Sequence, residues 1–494
     1  MTRVLHVSRQ TFRALEVRNY RLFFTGQVIS VSGTWMQQVA QAWLVLQLTG
    51  SGVALGLVTA AQFLPMMLLG PWAGVVADRT DKRRILFLTQ AAAAIAAGTL
   101  GLLALSGFVQ LWMVFALALW LGVANAFDMP TRQAFVFEMV GPRHLSNAIG
   151  LNSIVMNAGR LVGPAIGGLL IATVGLATCF LLNAASYGAT IAALAMMRSH
   201  ELQRAKPVPR SRGQLREGLR YVWSTPALRT PLVLIAIVGT FTYEFPVSLP
   251  LLSTFTFGAG AEGYGLLLSA MSVGAVLGGL AVATRLAPSH RRLGWAGMAF
   301  GVAVLVASVM PTLGATAMVM PIVGAISIAF ITQANSTLQL TADPSMRARV
   351  IALYGVAFLG STPIGGPIVG WVGEALGPRA GLALGGMAAL VASVVAWRSL
   401  ASAGVSSPRP VLGPPRPAEA AAVPRPTAPA AVEPARPDQE AAGPSPRARV
   451  AASPSPLRAE AASHPPGAEV VRSAKRRQAR ALALRGPAAR PESG

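Results

Sequence analysis

Gly74-Val75-Val76-Ala77-Asp78-Arg79-Thr80-Asp81-Lys82-Arg83-Arg84 is a short island of charge between two long apolar runs, roughly 52–77 and 85–106. A bilayer core takes about twenty apolar residues per helix, and both flanking runs meet that length. Outward from this island the same alternation repeats. Runs bounded by charge or by Gly/Pro clusters fall at roughly 22–48, 109–130, 147–173 and 176–197. After a polar stretch they resume at roughly 231–256, 263–285, 293–311, 314–338, 348–372 and 377–397. The expected fold is therefore an all-α membrane protein, with twelve transmembrane helices in two pseudo-symmetric six-helix bundles.

Composition excludes the main alternatives. Hydrophobic residues make up 53% of the 494-residue chain and charged residues 12%, and the mean hydropathy is +0.54. A soluble surface needs about twice that share of charge. The net charge of +23 would suit a nucleic-acid binder if it lay on one compact face. Here the Lys and Arg residues sit at the ends of apolar runs and in a C-terminal tail, so no nucleic-acid partner is expected. The single cysteine, Cys179, offers no disulfide. The opening residues are basic and too polar for a cleavable signal peptide, and the first apolar run reads as an uncleaved span.

Charge placement sets an orientation. The connections on one side carry Arg379 as their only basic residue. The alternate connections hold Arg79, Lys82, Arg83 and Arg84, then Arg204, Lys206, Arg210, Arg212 and Arg216. Excess Lys and Arg marks cytoplasmic loops, which places both termini in the cytoplasm and the protein, multi-pass, in a bacterial-type inner (plasma) membrane. The organisation expected is a basic N-terminus at 1–20, a bundle at 21–197, a linker at 198–230, a second bundle at 231–400 and a tail at 401–494. Gly163-Pro164-Ala165-Ile166-Gly167 in the fifth span is echoed by Gly366-Pro367-Ile368-Val369-Gly370 in the eleventh, as internally repeated transporters would have it. The tail is rich in Pro, Ala and Arg and poor in aromatics, so it reads as disordered. Its Lys475-Arg476-Arg477 run is open to two readings, an anionic-lipid contact or plain solvated chain.

Polar residues recur inside the spans. Gln27, Ser30, Thr34, Gln37 and Gln41 share one face of the first helix by their spacing. Shorter sets follow in the fourth span (Asn125, Asp128, Arg132), the seventh (Thr240, Glu244, Ser248) and the tenth (Thr332, Asn335, Gln339). Either these sets line a shared cavity, with Gln37, Gln41, Arg132, Glu244 and Asn335 as candidate substrate contacts, or they are interhelical hydrogen-bond glue. Two ionisable groups lie deep, Arg160 and Glu244. An ionised group at mid-membrane costs about 2.5–3.5 kcal/mol on insertion scales. Glu244 is accordingly a candidate for proton coupling or for a cationic substrate, unless it simply pairs with a neighbour such as Arg160 and holds the halves together. Nothing points to an enzyme, a metal or a cofactor: no His/Cys/carboxylate set has ligand spacing and no phosphate-binding loop is present.

The island at Gly74–Arg84 resembles the signature loop of the major facilitator superfamily. Asn157-Ala158-Gly159-Arg160-Leu161-Val162-Gly163-Pro164-Ala165-Ile166-Gly167-Gly168 resembles the antiporter motif of exporters in that superfamily. Phe127-Asp128-Met129-Pro130-Thr131-Arg132-Gln133-Ala134 is similar to the branch holding the enterobactin exporter and macrolide efflux proteins. The resemblance covers roughly 15–400. It implies alternating access between the bundles, with proton-driven export as the usual mode. It implies a conformational latch built on Gly74, Asp78, Arg79, Lys82, Arg83 and Asp128. In that latch Asp78 meets the cytoplasmic start of the eleventh helix, and Lys82 bridges Asp78 to the acid ending the fourth helix, read as Asp128. Asp81 stands where the loop usually has Gly, and Lys82 where it usually has Arg. The antiporter motif also has a plain physical reading, since Gly159, Gly163 and Gly167 leave one helix face bare for close packing.

The activity expected is export of a small lipophilic or amphiphilic molecule (a drug, a toxic organic or a siderophore) by proton antiport, from a monomer in contact with membrane lipid. Uptake or uniport on the same fold, and a non-transporting scaffold or sensor, are the alternatives.

Overall fold

In hydrocarbon every backbone N–H and C=O needs an internal partner, so long apolar runs fold as helices. The computed structural model describes residues 12–203, 214–285 and 288–402. The expectations for the tail, including Lys475-Arg476-Arg477, fall on residues outside these ranges, except that the last helix runs on to Ser402. The helices are α1 (Arg18–Thr49), α2 (Gly52–Arg79), α3 (Lys82–Ser106), α4 (Leu111–Thr173), α5 (Leu176–Ala195), α6 (Gln214–Ser224) and α7 (Pro226–Phe241). They continue as α8 (Phe245–Leu251), α9 (Ala261–Arg285), α10 (His290–Val309), α11 (Leu313–Thr341), α12 (Arg347–Leu359), α13 (Thr362–Ala375) and α14 (Pro378–Ser402).

Ten stretches among the described residues are long and apolar enough to cross a membrane. One is α4, with 63 residues, about 95 Å of helix against a hydrocarbon core of about 30 Å. It is two crossings. Gly141, at φ 65° and ψ −179°, interrupts it, in a conformation that favours glycine, and Pro142 follows. Before Gly141 the helix runs antiparallel to α3: Trp120 Nε1 donates to Ala92 O, Gln90 reaches Asp128, and Lys82 reaches Glu138. After Gly141 it runs parallel to α1, with Ala148 O accepting from Tyr20 and Gly163 against Ser32 and Trp35. The two arms are called α4a and α4b below. The other missing crossing is α1, 32 residues long, whose Gln and Ser residues lower its mean hydropathy. With the two arms of α4 counted separately the ten become eleven, and α1 is the helix that the twelve expected would add.

Turns at one end of the bundle are tight. Gly50, Gly107, Gly175, Gly258 and Gly377 there all have positive φ, which ends a helix without strain. This is the glycine-turn end; the Arg-rich connections lie at the other. Asp81, the departure from the signature loop, has a local role: its carboxylate accepts from Arg84 N and caps α3.

The seventh and eleventh spans are not continuous, contrary to the runs drawn at 231–256 and 348–372. The seventh breaks at Thr242–Glu244, restarts at Phe245-Pro246 and finishes in a π-helical turn, Leu252–Thr256. The eleventh breaks at Gly360-Ser361 and restarts at Thr362-Pro363. Proline has no N–H to continue a helix but starts one well. The linker also differs from a plain polar connection. It contains α6 and gives way to α7 at Pro226, before the boundary drawn at 230. Gly218 and Val222 of α6 are buried, and Glu217 pairs with Arg349 at 2.7 Å while Tyr221 Oη donates to Asp343 at 3.0 Å. Away from these contacts, large apolar side chains such as Leu68, Trp72, Leu102, Leu169 and Ile364 face outward, as lipid-facing positions do.

Candidate functional site

The charged loop is held by two partners, Glu138 and the end of α5. Lys82 Nζ sits 2.7 Å from Glu138 Oε1, with both side chains buried. The expected bridge from Lys82 to Asp128 is therefore corrected. Pro130 is accommodated inside α4a, so the helix continues well past the end drawn at 130 and its last acid is Glu138. Asp128 lies ten residues back, about 15 Å along the axis. Arg83 serves the end of α5: its guanidinium donates to Leu194 O at 2.7 Å, Ala195 O at 3.0 Å and Ser199 Oγ at 2.6 Å. A cation on the last carbonyls of a helix is favoured by its dipole. Arg79 is exposed, Gly74 and Asp78 are half-buried, and α2 touches α12.

Asp128 instead anchors a buried network within the first half. Its Oδ1 accepts from Thr89 at 2.9 Å and Gln90 at 2.8 Å. Its Oδ2 pairs with Arg132, whose guanidinium also donates to Gln27. The charge is thus surrounded by donors, which a buried carboxylate requires.

The remaining stripe residues divide between the halves. Gln37 is buried and accepts from Asn183 at 2.6 Å, Gln41 donates to Gln62 at 3.3 Å, and Thr34 contacts Tyr187 Oη at 3.3 Å. In this conformation these three tie α1 to α5 and α2, as glue does. Asn335 is half-buried and accepts from Gln339 at 2.5 Å. Phe245 is packed into an aromatic cluster with Tyr243 and Phe300.

Glu244 stands apart. It occupies the break between α7 and α8 and is 1% exposed. Its carboxylate packs against the backbone of Gly365 and Gly366 in the first turns of α13. Neither oxygen has a hydrogen-bond partner, and Thr362 is the neighbouring hydroxyl. No ion pair among the described residues joins it to Arg160 in this conformation. The Arg160 guanidinium lies over the Trp35 ring, 5.4 Å from its centroid.

The antiporter-type motif has two contact faces. On one, a Cβ at Gly159 would lie 2.5 Å from Val31, and one at Gly163 would lie 2.6 Å from both Ser32 O and Trp35 Cβ; Gly167 meets Met36. This face lets α4b lie directly on α1. On the other, Pro164 O meets Gly265 and Gly168 meets Glu262 and Ala261, all on α9 of the second half. Ser269 and Ser272 of α9 donate to Leu161 O and Arg160 O, each at 3.1 Å. A second seam joins α2 to α13, where Gly52 opposes Gly370 and Gly56 opposes Gly366 and Pro367, backbone on backbone. At its glycine-turn end Glu374 accepts from Ser51 Oγ and Val53 N.

Two halves in contact through bare helix faces, with broken helices on one side of the seam, match a known architecture. Residues 9–410 match the family described as transmembrane secretion effector, a major facilitator group. The chain belongs to the major facilitator superfamily. Relatives of this transporter include the multidrug efflux pump Tap of Mycolicibacterium fortuitum, 31% identical over 362 residues that cover 71% of this chain and 88% of the pump. The staphyloferrin A transporter of Staphylococcus aureus is 26% identical over 259 residues, covering 52% of this chain and 65% of that one. In fold the transporter is similar to a bacterial homolog of the human lysosomal transporter Spinster, solved inward-facing and unoccupied. That similarity has a TM-score of 0.64 at 15% identity and covers 78% of this chain and 97% of that one. Family and fold make the chain a multi-pass membrane transporter with efflux-pump relatives.

Several residues that shape this site carried no signal that spacing alone would raise. Glu138 was hidden by the helix end drawn at Pro130. Ser51 and Glu374 lie far apart in sequence, and only the Ser-Gly start of α2 hints at a cap. Tyr264 and Trp35 read as ordinary membrane aromatics.

Proposed function

We propose that this transporter exports a small lipophilic or amphiphilic molecule across the inner membrane by proton antiport, the two halves rocking between inward-open and outward-open states. The observation that carries the reading is Glu244, a buried carboxylate with no cation beside it and Thr362 as its neighbouring hydroxyl, at the break of a helix and against the first turns of another. An ionised group there is costly and a protonated one is not, while the α13 dipole gives the ionised form some support. A group so placed can change protonation as the halves move. Broken helices near the midplane are also where transporters of this kind bind substrate and coupling ions.

The orientation follows from charge. The Arg-rich end faces the cytoplasm and the glycine-turn end faces out. The Ser51–Glu374 tie and the glycine seams then close the outer side, and the state described is inward-facing. The signature loop acts as the latch of the opposite state, with Lys82–Glu138 fixing the loop and Asp78 meeting α12 when the cytoplasmic side closes. Two relatives, one named for multidrug efflux and one for staphyloferrin A, support a substrate among organic molecules of drug or siderophore size.

Everted membrane vesicles test the reading. Respiration acidifies their interior, and a xanthene dye should then accumulate inside and leak back when the pH gradient is collapsed. Accumulation indifferent to that collapse would exclude proton antiport.

A further inference from the structure

Arg160 is a deep cation without an anion. It sits on α4b in the first half, and no carboxylate among the described residues pairs with it. Its Nε is buried with no hydrogen-bond partner, and Trp35 covers one face of the guanidinium. Arginine stays charged in any protein environment, so this half-buried side chain keeps its charge in every state, unlike a carboxyl such as Glu244.

A second unused donor approaches from the other half. Tyr264, near the start of α9, is 1% exposed and its hydroxyl has no partner. Arg160 lies within electrostatic reach of both Tyr264 and Tyr243. Tyr243 Oη is already committed to Ser327 O at 2.9 Å. Its ring packs edge-on against Phe358 with centroids 4.8 Å apart, and against Phe300 at 5.3 Å. The backbones are fixed around this point, because Ser272 and Gly265 of α9 clamp the Arg160–Pro164 turn of α4b. The arrangement is one permanent positive charge and one neutral donor, on opposite halves, beside a wall of aromatic rings.

We infer that Arg160 and Tyr264 bind an oxyanion of the substrate, a carboxylate or similar group attached to an aromatic or apolar body. The guanidinium fork matches the two oxygens of such a group, Tyr264 supplies a further donor, and the ring wall takes the body. Because the donors belong to different halves, a bound anion bridges the seam that rocking must open. This inference rests on the export reading and narrows its substrate to amphiphilic organic anions. The membrane potential, negative inside, itself favours the outward movement of such a charge.

Carboxyfluorescein and rhodamine 6G share a xanthene body and differ in charge, so their accumulation in energised everted vesicles separates the two ideas. Wild-type protein should accumulate carboxyfluorescein. Arg160→Gln should lower the carboxyfluorescein-to-rhodamine 6G accumulation ratio about tenfold, and Tyr264→Phe about threefold, as expected for lost charged and neutral hydrogen bonds. Arg160→Lys, which keeps the charge, should recover part of the ratio. If wild-type vesicles accumulate rhodamine 6G but not carboxyfluorescein, export stands and the anion site is refuted. Accumulation of neither dye contradicts export itself and removes the inference with it. Where Arg160→Gln does not reach the membrane, the Tyr264→Phe ratio decides alone, and an unchanged ratio overturns the proposal.

Discussion

The Ser51 hydroxyl donates to Glu374 Oε2 at 2.6 Å, and the Val53 N–H donates to the same oxygen at 3.0 Å. One carboxylate of the second half thus caps the first turn of a helix in the first half. Negative charge at a helix N-terminus is stabilising, by about 0.3–1 kcal/mol for an exposed, solvent-screened group such as this one. The interaction exists only while the glycine-turn ends of α2 and α13 are together.

Glu374→Ala should therefore bias the transporter toward opening at that end. Spin labels at Leu48 and Leu376, both exposed there, would report it by double electron–electron resonance. The longer-distance population should grow severalfold or more in the variant. A distribution identical to that of the parent would show that the cap does not hold the seam.

Lys82 and Glu138 should behave as a buried pair. Removing one partner leaves an uncompensated charge, at about 3–5 kcal/mol, whereas replacing both with apolar side chains is often neutral. Lys82→Met and Glu138→Leu should each lower the melting temperature of the detergent-solubilised protein, and the double variant should recover most of the loss. Asp128→Leu in place of Glu138→Leu should not rescue Lys82→Met. Rescue by Asp128→Leu would show that Lys82 pairs with Asp128 instead.

Gly56 and Gly163 should fail in different ways. Gly163 lies inside the first half, where α4b rests on α1, so Gly163→Val should reduce folded protein in the membrane. Gly56 lies on the seam with α13, so Gly56→Val should leave each half intact but hold the seam apart. Size-exclusion profiles combined with the Leu48–Leu376 distance distinguish the two. A monodisperse Gly56→Val protein with the parent distance would contradict the seam.

The membrane-crossing segments were legible because apolar length is written directly in the chain: α2, α3, α5, α9, α10 and α14 begin and end within a few residues of the runs first drawn. The breaks at Thr242–Glu244 and Gly360-Ser361 were not, because a proline in an apolar run reads equally as a kink or as a restart, and only packing decides. The pairing of Lys82 was missed for the same reason at Pro130. Depth alone singled out Glu244 and Arg160, since charge inside an apolar run is visible without any structure. Their surroundings were not visible. Which backbone turn faces Glu244, and that α9 packs on the helix turn of Arg160, depend on contacts between segments more than a hundred residues apart.

Proton exchange at Glu244 is the centre of the account, and proton movement in proteoliposomes measures it most directly. With a trapped pH-sensitive dye, no imposed pH gradient and an outward substrate gradient, wild-type protein should acidify the lumen as substrate leaves. Glu244→Gln should abolish that signal and flatten the pH dependence of transport. Substrate efflux through the wild-type protein with no change in luminal pH would contradict antiport, and an undiminished proton signal in Glu244→Gln would contradict the role of this carboxylate.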